Sequence, residues 1–322
     1  MLKKKLLRTG LALALIACAA VLSGPAVAGA PAAQTVAPGY YRMMLGDFEV
    51  TALSDGTVPL PMNKLLTGIK QEDAEAALDR SFLGRPTETS VNAFLINTGS
   101  KLVMVDTGAA GLFGPSLGRL LASLKAAGYQ PEQVDEIYIT HLHGDHVGGL
   151  MAGGKMAFPN AVVRVDQHDA DFWLSQANMD KASAEQKGAF QGAMTSLNPY
   201  VQAGKFKPFE GDTELVPGVR AMATHGHTPG HSVYLVESKG KKLVLWGDLM
   251  HVAAVQFDDP TVTIAFDSDS KAALAQRQKV FAMAATEGYI VGAAHISFPG
   301  LGRLRAEGKG YVWVPVNYTP VK

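Results

Sequence analysis

The chain has 322 residues, 29 basic and 29 acidic side chains, nine histidines and a single cysteine, Cys18. The length suits one large domain. Zero formal charge leaves no basic footprint for nucleic acid, and one cysteine excludes an internal disulfide framework or a thiolate-built metal site.

The first element is a leader. Lys3, Lys4, Lys5 and Arg8 precede the apolar run "LALALIACAAVL", and Ala26-Val27-Ala28 follows as a small-x-small cleavage site. That order of charge, apolar core and small residues reads as a secretory signal peptide over residues 1–28, and the run is short for a membrane span. The expected destination is the periplasm or the medium. A rival reading takes "LIAC" as a loose lipobox with a lipid anchor on Cys18; the well-placed Ala-x-Ala site argues against it. Cleavage takes away four basic residues and no acidic ones, leaving a mature charge of −4. Residues 29–38, "GAPAAQTVAP", read as a flexible leader, and 39–322 as the folded domain.

Strand-like stretches come next: "YYRMML", "FEVTALSD", "SVNAFLIN" and "KLVMVD". Leu117, Leu120, Leu121 and Leu124 then follow the helical period, predicting a helix over 117–128. "VDEIYIT" reads as a buried strand, "AVVRVDQ" as another, and "HDADFWLSQ" as the start of a helix. One pattern occurs twice. "SVNAFLINTGSKLVMVD" (90–106) and "SVYLVESKGKKLVLWGD" (232–248) are each strand, Gly-containing turn, strand and aspartate. Two such halves predict an α/β fold in which two sheets pack face to face between helical layers.

At the end of "EIYIT" stands "HLHGDH", which crowds His141, His143, Asp145 and His146 into six residues. Positions i and i+2 of an extended segment point the same way, so His141 and His143 can share one metal. Gly144 permits a turn, after which Asp145 and His146 can bind a second. Further donors must come from "THGHTPGH" (His225, His227, His231), "LWGDLMH" (Asp248, His251) and "GAAHIS" (His295). Spacing alone does not choose among the first three.

These motifs, in this order, resemble those of the metallo-β-lactamase superfamily. Stretches such as "PGYYRMMLGDFEVTALSDGTV" and "TGAAGLFGPSLGRL" look like methyl parathion hydrolase and the related dihydrocoumarin hydrolase-type lactonases. The resemblance spans essentially the whole mature chain and implies an αββα sandwich. It implies that His141, His143 and His227 hold one ion, that Asp145, His146 and His295 hold another, and that Asp248 bridges them. It also implies zinc as the metal, although His and carboxylate donors accept manganese, iron or cobalt too, and a homodimer as the assembly. Asp106 is expected to orient a ligand imidazole.

The activity implied is hydrolysis by a hydroxide between the ions, with Asp145 carrying a proton to the leaving group. Superfamily β-lactamases generally lack an aspartate at the position of Asp248, which turns the reading toward small esters. Phe113, Trp173 and Phe190 are expected to form an aromatic substrate wall. Leu65, His251, Ile264 and Phe266 look like the lactonase branch, with Ile264 and Phe266 facing one side of an extended stretch and His251 donating to a substrate oxygen. The function expected is opening of aromatic or hydrophobic lactones and cleavage of aryl esters, with side activity on organophosphate triesters. The alternatives, in order, are a dedicated organophosphate hydrolase, an N-acyl homoserine lactonase and a non-catalytic metal-binding protein.

Overall fold

Why the strands read as nearly continuous apolar runs becomes plain once their two faces are seen. The computed structural model describes residues 29–30 and 32–319, so the signal-peptide reading and Cys18 lie outside the described residues. Residues 29–30 and 32–39 carry no regular secondary structure. Among the described residues no helix is long and apolar enough to cross a membrane.

Thirteen strands build two main sheets. The first holds β1 (Tyr40–Leu45), β2 (Phe48–Leu60), β3 (Thr87–Asn97), β4 (Leu102–Val105), β5 (Glu136–Tyr138) and β6 (Val162–Arg164). The second holds β7 (Thr213–Val216), β8 (Val219–Ala223), β9 (Ser232–Ser238), β10 (Lys241–Leu245), β11 (Ile290–Gly292), β12 (Leu301–Glu307) and β13 (Gly310–Pro315). Spatial order follows chain order in both. The repeated sequence pattern reappears as repeated topology. β3 pairs antiparallel with β4, which then runs parallel to β5; β9 pairs antiparallel with β10, which then runs parallel to β11.

Alternate residues of each strand enter different cores. Phe94, Ile96, Val103, Val105 and Tyr138 of the first sheet meet Ala221, Tyr234, Val236, Leu243 and Leu245 of the second. Leu95, Met104 and Ile137 face the other way, onto Leu120, Leu124, Phe190 and Leu197. Val233, Val244, Trp246 and Val291 pack on Val280, Phe281 and Ala284 of the helix Ser270–Glu287. The result is the expected αββα sandwich, in which strands covered on both faces must be apolar on both.

The helix predicted over 117–128 is shorter, Leu120–Ala126. Asp55 sets its start. The β2–β3 register shifts between Ser54 and Gly56, and the fully buried Asp55 accepts from the backbone N–H groups of Ala109 (2.9 Å), Gly118 (3.1 Å) and Leu120 (2.9 Å). One carboxylate therefore fixes both the helix start and the loop before it, which carries Leu112 and Phe113 toward the site.

Candidate metal centre

The site is built where strands β4, β5, β10 and β11 end. Asp106 follows β4 with a positive φ of 59°, a left-handed conformation that aspartate tolerates better than most residues. Its Oδ1 accepts the Thr140 N–H at 2.8 Å, and its Oδ2 accepts the Thr140 hydroxyl at 2.9 Å and the His146 Nδ1–H at 2.8 Å. With His146 Nδ1–H so committed, its Nε2 is left as the free lone pair. Gly144 starts a short helix, Gly144–Val147, and a Cβ there would lie 3.0 Å from the Phe113 ring and 3.3 Å from Leu112, two half-exposed side chains that pack over this loop.

The distant donors converge on the same place. His141 Nε2, His143 Nδ1 and His227 Nε2 gather around one oxygen of Asp248. His143 Nδ1 lies 3.1 Å from His141 Nε2 and 3.2 Å from His227 Nε2. Asp248 Oδ2 is 3.5 Å from His141 and 3.3 Å from His227. Its other oxygen, Oδ1, lies 3.1 Å from both His146 Nε2 and His295 Nε2. Asp145 Oδ2 completes that second group, 3.6 Å from His146 and 3.5 Å from His295.

The outward nitrogens of His227 and His295 are already spent. His227 Nδ1–H donates to Asp267 Oδ1 at 2.8 Å, and His295 Nδ1–H donates to the Ser90 carbonyl at 2.8 Å. With the rings neutral and their outward nitrogens protonated, the inward nitrogens are lone pairs held about as far apart as the corners of a small coordination shell. Lone pairs at that spacing repel unless a cation lies between them. His146 Nε2 and Asp248 Oδ1 are buried without a hydrogen-bond partner among the described residues. The donor set therefore fits two divalent ions, one per group, with Asp248 facing both.

The electrostatics divide the donors. Burial alone would raise the Asp248 carboxyl, but His146, His295, His141 and His251 hold it well below the usual carboxylate range. Burial drives His141 well below its ordinary value, helped by His146, and drives His143 down to about 3. At the other three donor histidines burial is outweighed by the carboxylates, which raise His146 well above its ordinary value, His227 to about 9 and His295 as well. An ion bound there would displace those protons, since metal ligation requires neutral imidazoles.

His231, left open by spacing, lies outside both groups. Its Nδ1 is 2.8 Å from the Thr224 hydroxyl, and its Nε2 accepts the Asp248 backbone N–H at 3.0 Å. It positions the aspartate. His225 lies elsewhere, against Asp166.

Beside the two groups opens a cavity of about 630 Å³, lined by Phe113, Asp145, Trp173, His251 and Phe266 among others. Trp173 meets the His143 ring edge-on at 5.4 Å. His251 stacks on His295 at 5.1 Å, and its Nε2 is 3.1 Å from Asp248 Oδ2.

Three residues expected at the substrate, Phe190 of the wall and Leu65 and Ile264 of the lactonase-branch set, do not line this cavity. Phe190 is 3% exposed and packs behind Trp173 at 4.7 Å. Ile264 is fully buried with Met62, Leu66, Val252 and Val262, and Leu65 packs against that same cluster. The alternation argument fails because the strand Thr263–Ile264 stops there. The chain turns back, with Asp267 N–H donating to Ile264 O at 3.1 Å, so Ile264 and Phe266 do not share a side.

Two carboxylates were not read from the sequence. Asp267 orients His227. Asp169 accepts the Leu142 N–H at 2.9 Å and the Gly230 N–H at 2.5 Å, tying the "HLHGDH" loop to the "GHTPGH" loop. Burial pushes the Asp169 carboxyl up to about 6, against those hydrogen bonds. Neither residue has a sequence signal beyond being acidic and near an apolar stretch.

An α/β sandwich with two histidine–carboxylate groups at its strand ends defines a class, and comparison with known proteins agrees. The profile of the metallo-β-lactamase superfamily matches residues 86–295, and the chain belongs to that superfamily, as a metal-dependent hydrolase. Among solved structures it is similar to hydrolase AbOPH of the β-lactamase superfamily. That match has 39% identity and a TM-score of 0.84, covering 89% of this chain and 100% of the other. It is also similar to AidC, a dizinc quorum-quenching lactonase, at 25% identity and a TM-score of 0.80, covering 88% of this chain and 99% of that one. An N-acyl homoserine lactonase of Bacillus cereus is 29% identical over 231 residues, 64% of this chain and 84% of the relative.

Proposed function

We propose that this protein is a binuclear metallohydrolase that opens aromatic and other hydrophobic lactones and cleaves aryl esters, with weaker activity on organophosphate triesters. His141, His143 and His227 would hold one ion, Asp145, His146 and His295 the other, and Asp248 both. When bound, such a pair supplies Lewis acidity and a hydroxide at neutral pH.

The protein's own groups do the rest. Phe113, Trp173 and Phe266 offer an apolar wall for the ring of an aryl lactone. Asp145, with 22% of its side chain exposed, stands between the buried donors and the cavity. Against burial, His146 and His295 keep it ionised, so it can accept the proton of the attacking hydroxide as the new C–O bond forms and pass it to the departing oxygen as the old C–O bond breaks. His251, whose Nε2 lies 3.1 Å from Asp248 Oδ2 while its Nδ1 has no hydrogen-bond partner among the described residues, offers an N–H to a carbonyl or alkoxide oxygen. The observation that carries the reading is the Asp248 carboxylate, set between the two donor groups with Oδ1 3.1 Å from His146 and Oδ2 3.3 Å from His227, at the floor of an aromatic-walled cavity.

A second reading, N-acyl homoserine lactone hydrolysis, is favoured by the activity named for the Bacillus relative and for AidC. Steady-state kcat/KM on dihydrocoumarin, an aryl acetate, an acyl homoserine lactone and a dialkyl aryl phosphate separates the readings. The proposal expects the aryl lactone to lead, and turnover to vanish with a chelator. A lead of about tenfold for the acyl homoserine lactone, the size a changed pocket contact produces, would establish the second reading instead. A lead for the triester would point to a dedicated organophosphate hydrolase, and chelator-insensitive turnover would overturn both.

A further inference from the structure

Away from the catalytic cavity a second kind of histidine cluster stands at the protein's edge. Asp166 follows β6 and caps the helix Gln167–Trp173. Its Oδ1 accepts the His168 N–H at 2.9 Å and lies 2.8 Å from His168 Nδ1. Its Oδ2 accepts the Gly211 N–H at 3.3 Å and lies 3.4 Å from His225 Nε2. His225 comes from the loop between β8 and β9, so the cluster joins the edge of one sheet to a loop of the other.

Three features make this more than a capping hydrogen bond. One donor atom from each of Asp166, His168 and His225 lies within 4.8 Å of the other two. The His225 Nε2 atom is buried, and its contact with Asp166 Oδ2 is long, at 3.4 Å. The two imidazoles stand 4.8 Å apart at 52° across one carboxylate. Each Asp166 oxygen already serves one backbone N–H group, and each faces one of the two rings, so both imidazoles present a nitrogen to the same buried carboxylate. A divalent cation satisfies all three side chains. Asp166 is fully buried, whereas the His168 side chain is 60% exposed and His225 33%, so the remaining coordination positions open to water. Asp212, which accepts the Ala223 N–H at 2.9 Å, adds negative charge at the same edge.

We propose that Asp166, His168 and His225 form a third metal site, which takes one borderline divalent ion such as Zn2+ with water in its open positions. It is separate from the two-ion centre. His227, two residues beyond His225, turns the other way, onto Asp248 and Asp267. An ion here would cross-link the helix that carries Trp173 to the loop that carries His227, and so stiffen both.

The test counts ions on the full chain. Enzyme with its centre loaded is freed of excess metal, titrated with Zn2+ alone and weighed by native mass spectrometry. The wild type should carry one more ion per chain than the His168→Ala/His225→Ala double variant, whatever the occupancy of the centre. Because the count is a difference, failure of the two-ion reading would leave this result intact. Equal counts across the titration would overturn the proposal. Should the variant not fold, carbethoxylation of His168 in the wild type decides. Zn2+ should protect His168 from the reagent at least several-fold relative to metal-stripped enzyme, and unchanged labelling would overturn the site.

Discussion

Replacing Asp267 with asparagine tests whether His227 is held as a donor by a partner outside the cluster. Both carboxylate oxygens are acceptors in use: Oδ1 faces the His227 Nδ1–H at 2.8 Å, and Oδ2 faces the Ile264 backbone N–H at 3.3 Å. An amide has one acceptor oxygen. The substituted side chain must therefore present its NH2 either to His227, forcing the tautomer that protonates Nε2, or to a backbone N–H that is then unpaired. Burial opposes a charge on His227, but Asp248 and Asp267 outweigh it and raise its pKa to about 9. Removing one of the two carboxylates weakens the polarisation that makes Nε2 a strong donor. Loss of such an orienting partner typically costs about 10–100-fold in metal affinity, roughly 1.4–2.8 kcal/mol. Competition against a chromogenic zinc chelator measures it, and saturating metal should restore much of kcat. Affinity within about twofold of wild type, in a variant that folds normally, would refute the orienting role of Asp267.

His227→Ala should lose one ion per chain by metal analysis. His231→Ala should keep both and instead lose about 1–3 kcal/mol of stability, because the Asp248 N–H is left without its acceptor; denaturant unfolding of the loaded protein reads that loss. Ile264→Thr should destabilise the fold by placing a hydroxyl in an apolar cluster, while the ratio of lactone to triester kcat/KM stays within about twofold. Phe266→Ala, on the cavity wall, should shift that ratio by about tenfold or more. Intact-mass measurement after expression in a Gram-negative host should show a mature chain beginning near Gly29; a lipidated Cys18 terminus would establish the rival anchor.

Much of the centre was legible in the sequence because its donors are chemically rare and locally grouped. "HLHGDH" packs four of them into six residues at the end of an apolar strand, and strand ends are where an α/β fold exposes side chains. The duplicated strand–turn–strand–aspartate pattern likewise marked Asp106 and Asp248, since hairpin pairing is short-range. Resemblance favours His227 over His231 as the donor, which the sequence by itself leaves open. Both are buried imidazoles in one short loop, distinguishable only by what stands opposite each ring. Tertiary structure alone decided the rest. Asp267 and Asp169 act through contacts 40 and 61 residues away in sequence, and a single carboxylate carries no period or spacing that forecasts such a partner. The cavity wall was misread at Ile264 because alternation holds only while the backbone stays extended, and a turn held by Ile264 and Asp267 ends the strand there. Phe190 departs from the expected wall for a related reason. An aromatic residue on a helix near the site can face the substrate or back the residue that does, and the packing of Trp173 in front of it settles which.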